Sequence, residues 1–411
     1  MILGAIADDV TGATDLASLV NRVGRAVLLS FGIPRKALPD ADALIIATKS
    51  RMAPVEEAKA TALDAARYLE KVGAAQIYFK YCSTFDSTEH GNIGPVTEAL
   101  MAALGVDITL ACPSYPAYAR TVYQGHMFVG VQPLAESPMR HHPLTPMSDS
   151  NLVRFLGKQC SLGVGLMPLQ AVEEGAEAVQ ALMVQRKDKG DGILIADAIL
   201  DRHITTLATA SSNMRLVTGG AALGGALASQ KPSRLAHAAA PLRHKQTAAL
   251  LSGSCSTATL AQVKNVLDAV PARQIDPLRL MEDRAHEMAD LMSWAVEAAR
   301  RGDFLIYSTT DSGRIKDVQA QLGVAQAGAL VEDAFGEIAT GLAAHGLRKF
   351  VVAGGETSGA VIRALDIRTL SFGEELDPGV PWTYSTDPEG YTFALKSGNF
   401  GGPDFFRRAI A

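Results

Sequence analysis

The first fifteen residues, MILGAIADDVTGATD (1–15), decide how the rest of the chain is interpreted. An apolar run from Ile2 to Ala7 is followed at once by two carboxylates, Asp8 and Asp9, and then by apolar residues at helical spacing. This pattern predicts a buried strand, a polar turn and a helix. Open α/β sheets bind ligands beyond the carboxyl ends of their strands, which is where the two acids would lie.

Asp8 and Asp9 have two alternative roles at this position. A pair of carboxylates beyond a strand can orient or deprotonate a substrate hydroxyl, or it can hold a metal ion. Asp9 could instead serve only as the N-cap of the following helix. The sequence does not tell which acid would be the base, and it leaves the ligands of any metal unknown.

Strand-like runs alternate with helical patterns along the rest of the chain. This alternation predicts an α/β class with largely parallel sheets flanked by helices. Helical patterns include 55–72, 94–104 and 285–294. The predicted strands after the first are 26–31, 43–48, 76–81, 107–112, 192–196, 216–218, 247–252, 303–308, 349–353 and 392–395.

A chain of 411 residues is long enough for two or three domains. Residues 229–246, SQKPSRLAHAAAPLRHKQ, have prolines, small residues and basic residues without a clear period, which is typical of a linker. We therefore expect an N-terminal domain over 1–228, a linker over 229–246 and a C-terminal domain over 247–411.

Composition narrows the range of partners. A net charge of −5 and 48% hydrophobic residues favour a soluble globular protein and argue against nucleic acid as a partner. The four cysteines form no CxxC pair, and no apolar run is long enough to span a membrane. With no signal-like segment, we expect a cytoplasmic protein that acts on small molecules. The oligomeric state stays open, and a homodimer is one arrangement that the sequence allows.

Four predicted strands of the first half end in polar side chains. Besides Asp8 and Asp9, the candidates for a binding site are Arg51, Lys80, Ser83 and Asp86, with a fourth polar stretch after residue 112. Parallel strands bring these ends to one edge of a sheet. Cations suit a carboxylate, and acids and hydroxyls suit sugar hydroxyls, so the set favours a small polyhydroxylated anion.

Three strand–glycine–helix junctions mark the second half. They are LLSGSCST (250–257), VVAGGETSG (351–359) and LKSGNFGG (395–402). Glycine lets backbone amides approach a phosphate, and a helix N-terminus supplies unpaired N–H groups, so three junctions in one domain favour a nucleotide site. The P-loop pattern and the dinucleotide-binding pattern G-x-G-x-x-G after the first strand are both missing, which argues against a P-loop enzyme and against a Rossmann dehydrogenase.

Together these stretches resemble the four-carbon acid sugar kinase family over nearly the whole chain. The motifs that carry the resemblance are ADDVTGATD (7–15), TKSR (48–51), YFKYCSTFDST (78–88), GNIGPVTEAL (91–100), RTVYQGHMFVG (120–130), HPLTPMSDSNLVR (142–154), LVTGG (216–220), LSGSCS (251–256), AGGETSG (353–359), DPGVPW (377–382) and LKSGNFG (395–401).

The resemblance implies a two-domain kinase with a ligand cleft between its domains, in which ATP with Mg²⁺ phosphorylates O4 of an acid sugar. By position, the ATP-contacting residues would be Ser252, Gly354, Gly355, Glu356, Thr357 and Gly398. The residues of the acid-sugar side also lie in matching motifs. From their chemistry we infer that Asp8 and Asp9 are catalytic and that the substrate is bound by Arg51, Lys80, Ser83 and Asp86.

The expected substrate is 3-oxo-tetronate, which would become 3-oxo-tetronate 4-phosphate. Two alternatives stay open. The same fold could act on D-threonate or D-erythronate, or the chain could be a non-catalytic acid-sugar binding protein that has lost phosphoryl transfer.

Overall fold

The computed structural model describes residues 1–142, 144–233, 235, 246–310 and 323–411. The chain divides into two compact units, Met1–Ala238 and Ala239–Ala411, which confirms the predicted two-domain α/β class. Of the predicted linker over 229–246, residues 234 and 236–245 lie outside the described residues. The exact domain boundaries and the cleft stay predictions.

The first unit is built on eight parallel strands in the order β2-β3-β1-β4-β11-β5-β10-β9, beside a small antiparallel sheet, β6-β7-β8. The strands are β1 Leu3–Ala7, β2 Val27–Phe31, β3 Ala43–Ala47, β4 Ile77–Lys80, β5 Thr109–Cys112, β6 Arg120–Tyr123, β7 His126–Val129, β8 Gln132–Pro133, β9 Gly163–Met167, β10 Asp191–Ala196 and β11 Leu216–Gly219. The helices are α1 Val10–Arg22, α2 Val55–Lys71, α3 Ile93–Leu104, α4 Leu152–Gly157, α5 Leu169–Glu174, α6 Ala176–Asp188, α7 Asp201–Ser211 and α8 Ala221–Ser229.

The opening strand lies in the middle of this sheet. All five residues of β1 are buried, as its unbroken apolar run requires for a strand covered on both faces. β1 pairs with β3 on one side and with β4 on the other. The polar residues that follow β3, β1 and β4 therefore lie close together at the carboxyl edge of the sheet.

The second unit has strands in the order β13-β14-β12-β15-β18-β17-β16. They are β12 Ala248–Ser252, β13 Ala272–Gln274, β14 Phe304–Tyr307, β15 Lys349–Ala353, β16 Thr369–Asp377, β17 Val380–Ser385 and β18 Thr392–Lys396. Its described helices are α9 Thr257–Val266, α10 Pro277–Glu282, α11 Arg284–Arg301, α12 Val324–Ala344, α13 Gly355–Ala364 and α14 Phe405–Ile410. β12, β15 and β18 are neighbouring parallel strands, and each ends at one of the glycine junctions.

Every predicted strand is present, with its ends displaced by no more than two residues. Seven strands were not predicted: β6, β7, β8, β9, β13 and the antiparallel pair β16 and β17. Glu374 and Glu375 interrupt the apolar pattern of β16, and Pro381 lies inside β17, so neither stretch has the alternation that marks a strand. Among the described residues, the structure contains no helix long and apolar enough to cross a membrane.

Candidate active site

In the first unit, the ends of β1 and β3 are joined by a salt bridge. Arg51 donates from Nε and Nη2 to the two carboxylate oxygens of Asp8, both at 2.9 Å. The backbone N–H of Arg51 also donates to the carbonyl of Asp8 at 3.2 Å. This bidentate geometry is the strongest form of an arginine–carboxylate pair, and it fixes the loop after β3 against the end of β1.

Asp8 is enclosed, with only 4% of its surface exposed. Burial raises the pKa of the Asp8 carboxyl, and the hydrogen bonds and charge of Arg51 oppose that rise. Two of the five donors of the guanidinium are committed to Asp8. The position of Asp8 therefore suits an anchor for Arg51 better than a group that meets a ligand.

Asp9 takes the N-cap role that the sequence offered for it, and its carboxylate stays accessible. Its Oδ1 accepts from the backbone N–H of Gly12 at 3.1 Å, so Asp9 is the N-cap of α1. The same oxygen lies 2.8 Å from Nη2 of Arg51 and 3.8 Å from Nζ of Lys80. With 27% of its side chain exposed, Asp9 is the more accessible of the two acids. The N-cap holds the carboxylate in one orientation while leaving it open to a small molecule.

Lys80, the last residue of β4, places its ammonium against the first turn of α1. A Cβ added at Gly12 would lie 1.8 Å from Nζ of Lys80 and 2.4 Å from Oδ1 of Asp9. Any side chain at position 12 would therefore displace Lys80. Gly12 allows a cation to sit directly over the helix backbone beside Asp9.

The loop after β4 brings Asp86 to the same cluster. Oδ2 of Asp86 lies 3.9 Å from Nη1 of Arg51, and its Oδ1 accepts from the hydroxyl of Thr84 at 2.6 Å. Ser83 is half-buried on this loop. Phe85 has a φ of 54°, a left-handed conformation that costs a non-glycine residue free energy and that occurs often beside functional sites.

Two further residues of this region were not among the candidate site residues. Asn92 donates from Nδ2 to the carbonyls of Ser50 at 2.8 Å and Ala53 at 2.9 Å, which holds the loop that carries Arg51. Asp15 on α1 is affected electrostatically by Lys80, and burial raises the pKa of its carboxyl. Both residues lie in motifs that carry the family resemblance, but their polar side chains alone gave no sign of what they contact.

The fourth polar strand end reaches this region through Asp15. Burial raises the pKa of the Asp15 carboxyl, and the charge of Arg120 and the phenol of Tyr115, in the loop after β5, oppose that rise. The fourth strand end therefore acts electrostatically on α1. β11 separates β5 from β4 in the sheet, which is why this end does not join the Asp8–Arg51 pair directly.

In the second unit, hydrogen bonds join the three glycine junctions. Gly253 and Ser254 donate backbone N–H groups to the carbonyl of Ala353 at 3.1 and 3.2 Å, and Gly354 donates to the carbonyl of Lys396 at 2.9 Å. Ser252 is fully buried, and its hydroxyl lies 2.7 Å from that of Thr309. The ATP-site candidates from three separate motifs therefore lie together at the carboxyl edge of one sheet.

The second junction opens α13. This helix begins at Gly355, and its N-cap, Gly354, has no side chain with which to cap the first N–H groups. Gly355 and Glu356 are exposed, whereas Thr357 is buried. Uncapped N–H groups at an open helix N-terminus attract phosphate oxygens.

At the third junction, side-chain donors bind a backbone carbonyl group. The carbonyl of Gly398 accepts from Ser256 Oγ at 2.5 Å, Thr259 Oγ1 at 2.8 Å and Lys396 Nζ at 3.0 Å. A Cβ added at Gly398 would lie 2.5 Å from Ser254 Oγ, so glycine is required at this close contact with the first junction.

Within the described ranges, no group of three or more His, Cys, Asp or Glu side chains is arranged to hold a metal ion. Nδ1 of His142 lies 2.9 Å from the hydroxyl of Thr145, within hydrogen-bonding distance. Magnesium in kinases is commonly held by one or two carboxylates together with substrate phosphates and water, so a protein-only cluster is not needed for it.

Comparison with known proteins identifies both units. A family model described as a sugar-binding N-terminal domain matches residues 3–227, and one described as a nucleotide-binding C-terminal domain matches residues 249–406. A 3-oxo-tetronate kinase of Pseudomonas fluorescens is 49% identical, over 100% of this chain and 96% of that protein. The chain belongs to the four-carbon acid sugar kinase family. Members are phosphotransferases with an alcohol group as acceptor, and so is this chain.

A second named relative is similar in sequence, and two solved structures are similar in fold. A 3-oxo-tetronate kinase of Cupriavidus necator is 46% identical over 100% of this chain and 96% of that protein. A crystal structure of a Haemophilus influenzae protein matches with a TM-score of 0.89 and 38% identity, and it covers 99% of this chain and 98% of its own. A protein of Salmonella typhimurium LT2 matches with a TM-score of 0.91 at 39% identity, with the same coverage.

Proposed function

We propose that this kinase uses ATP to phosphorylate the O4 hydroxyl of a four-carbon acid sugar, with 3-oxo-tetronate as its substrate. The observation that carries the proposal is the cluster of Asp9, Arg51 and Lys80 at the strand ends of the first unit. It combines an oriented, accessible carboxylate with two cations, which are the groups needed to recognise a hydroxylated acid. The relatives named 3-oxo-tetronate kinase supply the choice of substrate.

The carboxylate of the acid sugar would meet the two cations. Lys80 has Nζ beside Asp9, and Arg51 has the Nη1 edge that its bidentate contact with Asp8 does not use. Asp86 lies 3.9 Å from that edge and would accept a hydrogen bond from a sugar hydroxyl, with Ser83 on the same loop. Charge-assisted hydrogen bonds of this kind give both affinity and orientation.

Asp9 would accept a hydrogen bond from the O4 hydroxyl and turn its oxygen toward the γ-phosphate. Phosphoryl transfer depends on positioning and charge neutralisation more than on covalent chemistry by the protein. The N-cap bond to Gly12 and the salt bridge to Arg51 keep the Asp9 carboxylate fixed. Asp8 would not contact the substrate and would orient Arg51 instead.

ATP would bind at the glycine junctions of the second unit. The candidate ATP-contacting residues lie together there: Ser252, Gly354, Gly355, Glu356, Thr357 and Gly398. The open N-terminus of α13 would donate N–H groups to phosphate oxygens. Mg²⁺ bound with ATP would neutralise phosphate charge.

The experiment is a coupled assay of ADP release with Mg-ATP. The acceptors are 3-oxo-tetronate, D-threonate, L-threonate and D-erythronate, with a control that lacks any acid sugar. We expect turnover with 3-oxo-tetronate well above that with the others. Preference for D-threonate or D-erythronate would keep the kinase and change its substrate. ATP binding without turnover on any acceptor would contradict the proposal and favour a binding protein.

A further inference from the structure

Lys396 is an ammonium group buried beneath the third glycine junction. Only 2% of its surface is exposed, and Nζ donates to Thr259 Oγ1 at 2.9 Å, to the carbonyl of Gly398 at 3.0 Å and to that of Ser397 at 3.3 Å. The ring centroid of Phe405 lies 5.8 Å from it. A buried charge needs a reason, because taking an ammonium group out of water is costly.

The three donors that converge on Gly398 fix the direction of one peptide unit. Its carbonyl points inward to Ser256, Thr259 and Lys396. In a trans peptide the N–H points opposite to the carbonyl, and the described residues contain no cis peptide. The N–H of Asn399 therefore points away from the buried cluster, and Asn399 is exposed.

The loop beyond this peptide is anchored in the same way. Gln262 donates from Nε2 to the carbonyls of Phe400, Gly401 and Gly402 at 2.9–3.0 Å. Side chains beneath the loop thus bind its carbonyl groups one after another. The N–H of Phe400 donates to the carbonyl of Ser397 at 3.1 Å, and the N–H of Gly402 donates to Oδ2 of Asp377 at 2.8 Å. The N–H of Asn399 is therefore the one in this stretch that the Gly398 anchor directs outward.

We infer that Lys396 is a positioning residue that aims the N–H of Asn399 at a phosphate group of the nucleotide. This inference rests on the proposed ATP site in the second unit. It assigns a function to a buried cation that does not itself touch the nucleotide, and it adds a backbone donor to the phosphate-binding set.

The surroundings of Lys396 make the arrangement sensitive to pH. It faces the hydroxyls of Ser256 and Thr259, backbone carbonyls and the Phe405 ring, and no charged side chain of the described residues contributes to its titration. Burial lowers the pKa of the Lys396 ammonium to about 8. Above that pH the charge is lost and the hold on Gly398 weakens.

Lys349 provides a matched control. It is also buried, donates from Nζ to a backbone carbonyl, that of Ala409 at 2.9 Å, and lies over an aromatic ring, that of Trp382. It begins β15, whereas Lys396 pairs with Ala353 at the other end of that strand, where the glycine junction starts. Removing either lysine removes a buried ammonium, but only Lys396 lies at the junction.

The test compares the KM for ATP in Lys396→Met, Thr259→Val and Lys349→Met. We expect KM to rise about tenfold in the first two and less than about twofold in the control, with kcat less affected. In the wild type, KM for ATP should rise above pH about 8. In Lys396→Arg this rise should be absent, because a guanidinium does not titrate there.

The outcomes separate the inference from the proposed site. If calorimetry shows no ATP binding by the wild type, the proposed function fails. If the wild type binds ATP but Lys396→Met and Thr259→Val behave like Lys349→Met, the inference alone is overturned. Should Lys396→Met fail to fold, Thr259→Val and the pH profiles of the wild type and Lys396→Arg decide in the same way.

Discussion

The guanidinium of Arg51 donates two hydrogen bonds of 2.9 Å to the carboxylate of Asp8, and its Nη2 atom also lies 2.8 Å from Oδ1 of Asp9. One arginine therefore links a buried acid to an accessible one. The neighbouring acids Asp8 and Asp9 look equivalent in the sequence, but this geometry gives them different tasks. Asp8 is committed to the arginine, and Asp9 keeps an accessible carboxylate, which we propose meets the ligand.

Arg51→Lys should weaken both stability and acid-sugar binding. An ammonium cannot form the bidentate contact, so the buried Asp8 carboxylate loses a hydrogen bond, at a cost of about 2 kcal/mol in the free energy of unfolding. We expect KM for the acid sugar to rise about tenfold or more. Arg67→Lys is the control, because Arg67 is exposed on α2. Equal denaturant midpoints and KM values in the two variants would contradict the role of Arg51.

Asp9→Asn should mainly reduce turnover. The amide oxygen can still cap α1, but the charge that orients O4 is lost, so kcat should fall by about 10²- to 10⁴-fold with KM for ATP nearly unchanged. Asp8→Asn should instead lower stability and raise KM for the acid sugar. Steady-state kinetics on both variants checks this. Wild-type kcat in Asp9→Asn would end its assignment to catalysis.

Gly12→Ala should displace Lys80 without unfolding the first unit. The added Cβ would lie 1.8 Å from Nζ of Lys80 and 2.4 Å from Oδ1 of Asp9, so the ends of both side chains would have to shift. We expect a higher KM for the acid sugar and a nearly normal melting temperature. Gly157→Ala, at the end of α4 where a Cβ meets open space, is the control. An unchanged KM in Gly12→Ala would show that the position of Lys80 does not matter for binding.

Gly355→Val should abolish ATP binding while leaving the fold intact. No atom lies within 4 Å of a Cβ placed at Gly355, so the valine side chain would occupy the space proposed for phosphate. Gly328→Val on α12, where space is also open, controls for the helix propensity of valine. Calorimetric titration with ATP measures the difference. An unchanged titration in Gly355→Val would remove this loop from the nucleotide site.

Much of this architecture could be predicted because the relevant signals are local. The apolar run before Asp8 and the glycines of the three junctions each mark the end of a strand within a few residues. Parallel pairing then brings those ends together, as the order β3-β1-β4 shows. The fold class follows from the alternation of strand and helix patterns. The grouping of the candidates follows from the parallel pairing of the strands, which brings their carboxyl ends to one edge of the sheet.

The role of each residue in the two candidate sites depends on contacts between positions that are distant in the sequence. Asn92 holds the loop that carries Arg51, and Lys396 lies under Gly398 together with Thr259. The contact of Asn92 with Ser50 joins residues 42 positions apart, and that of Lys396 with Thr259 joins residues 137 positions apart. No period or spacing in the sequence records them, since they arise only when the sheet has formed.

The most direct test of the central claim is ³¹P NMR of the product formed from 3-oxo-tetronate and Mg-ATP. Transfer to O4 places the phosphorus next to the two protons of C4, so its resonance should be split by both. The spectrum is recorded before the β-keto acid product loses CO₂, because that loss would leave two protons on C2 as well. Splitting by a single proton would then place the phosphate on the C2 hydroxyl and contradict the proposed geometry. ATP consumed with only inorganic phosphate formed would contradict acid-sugar phosphorylation itself.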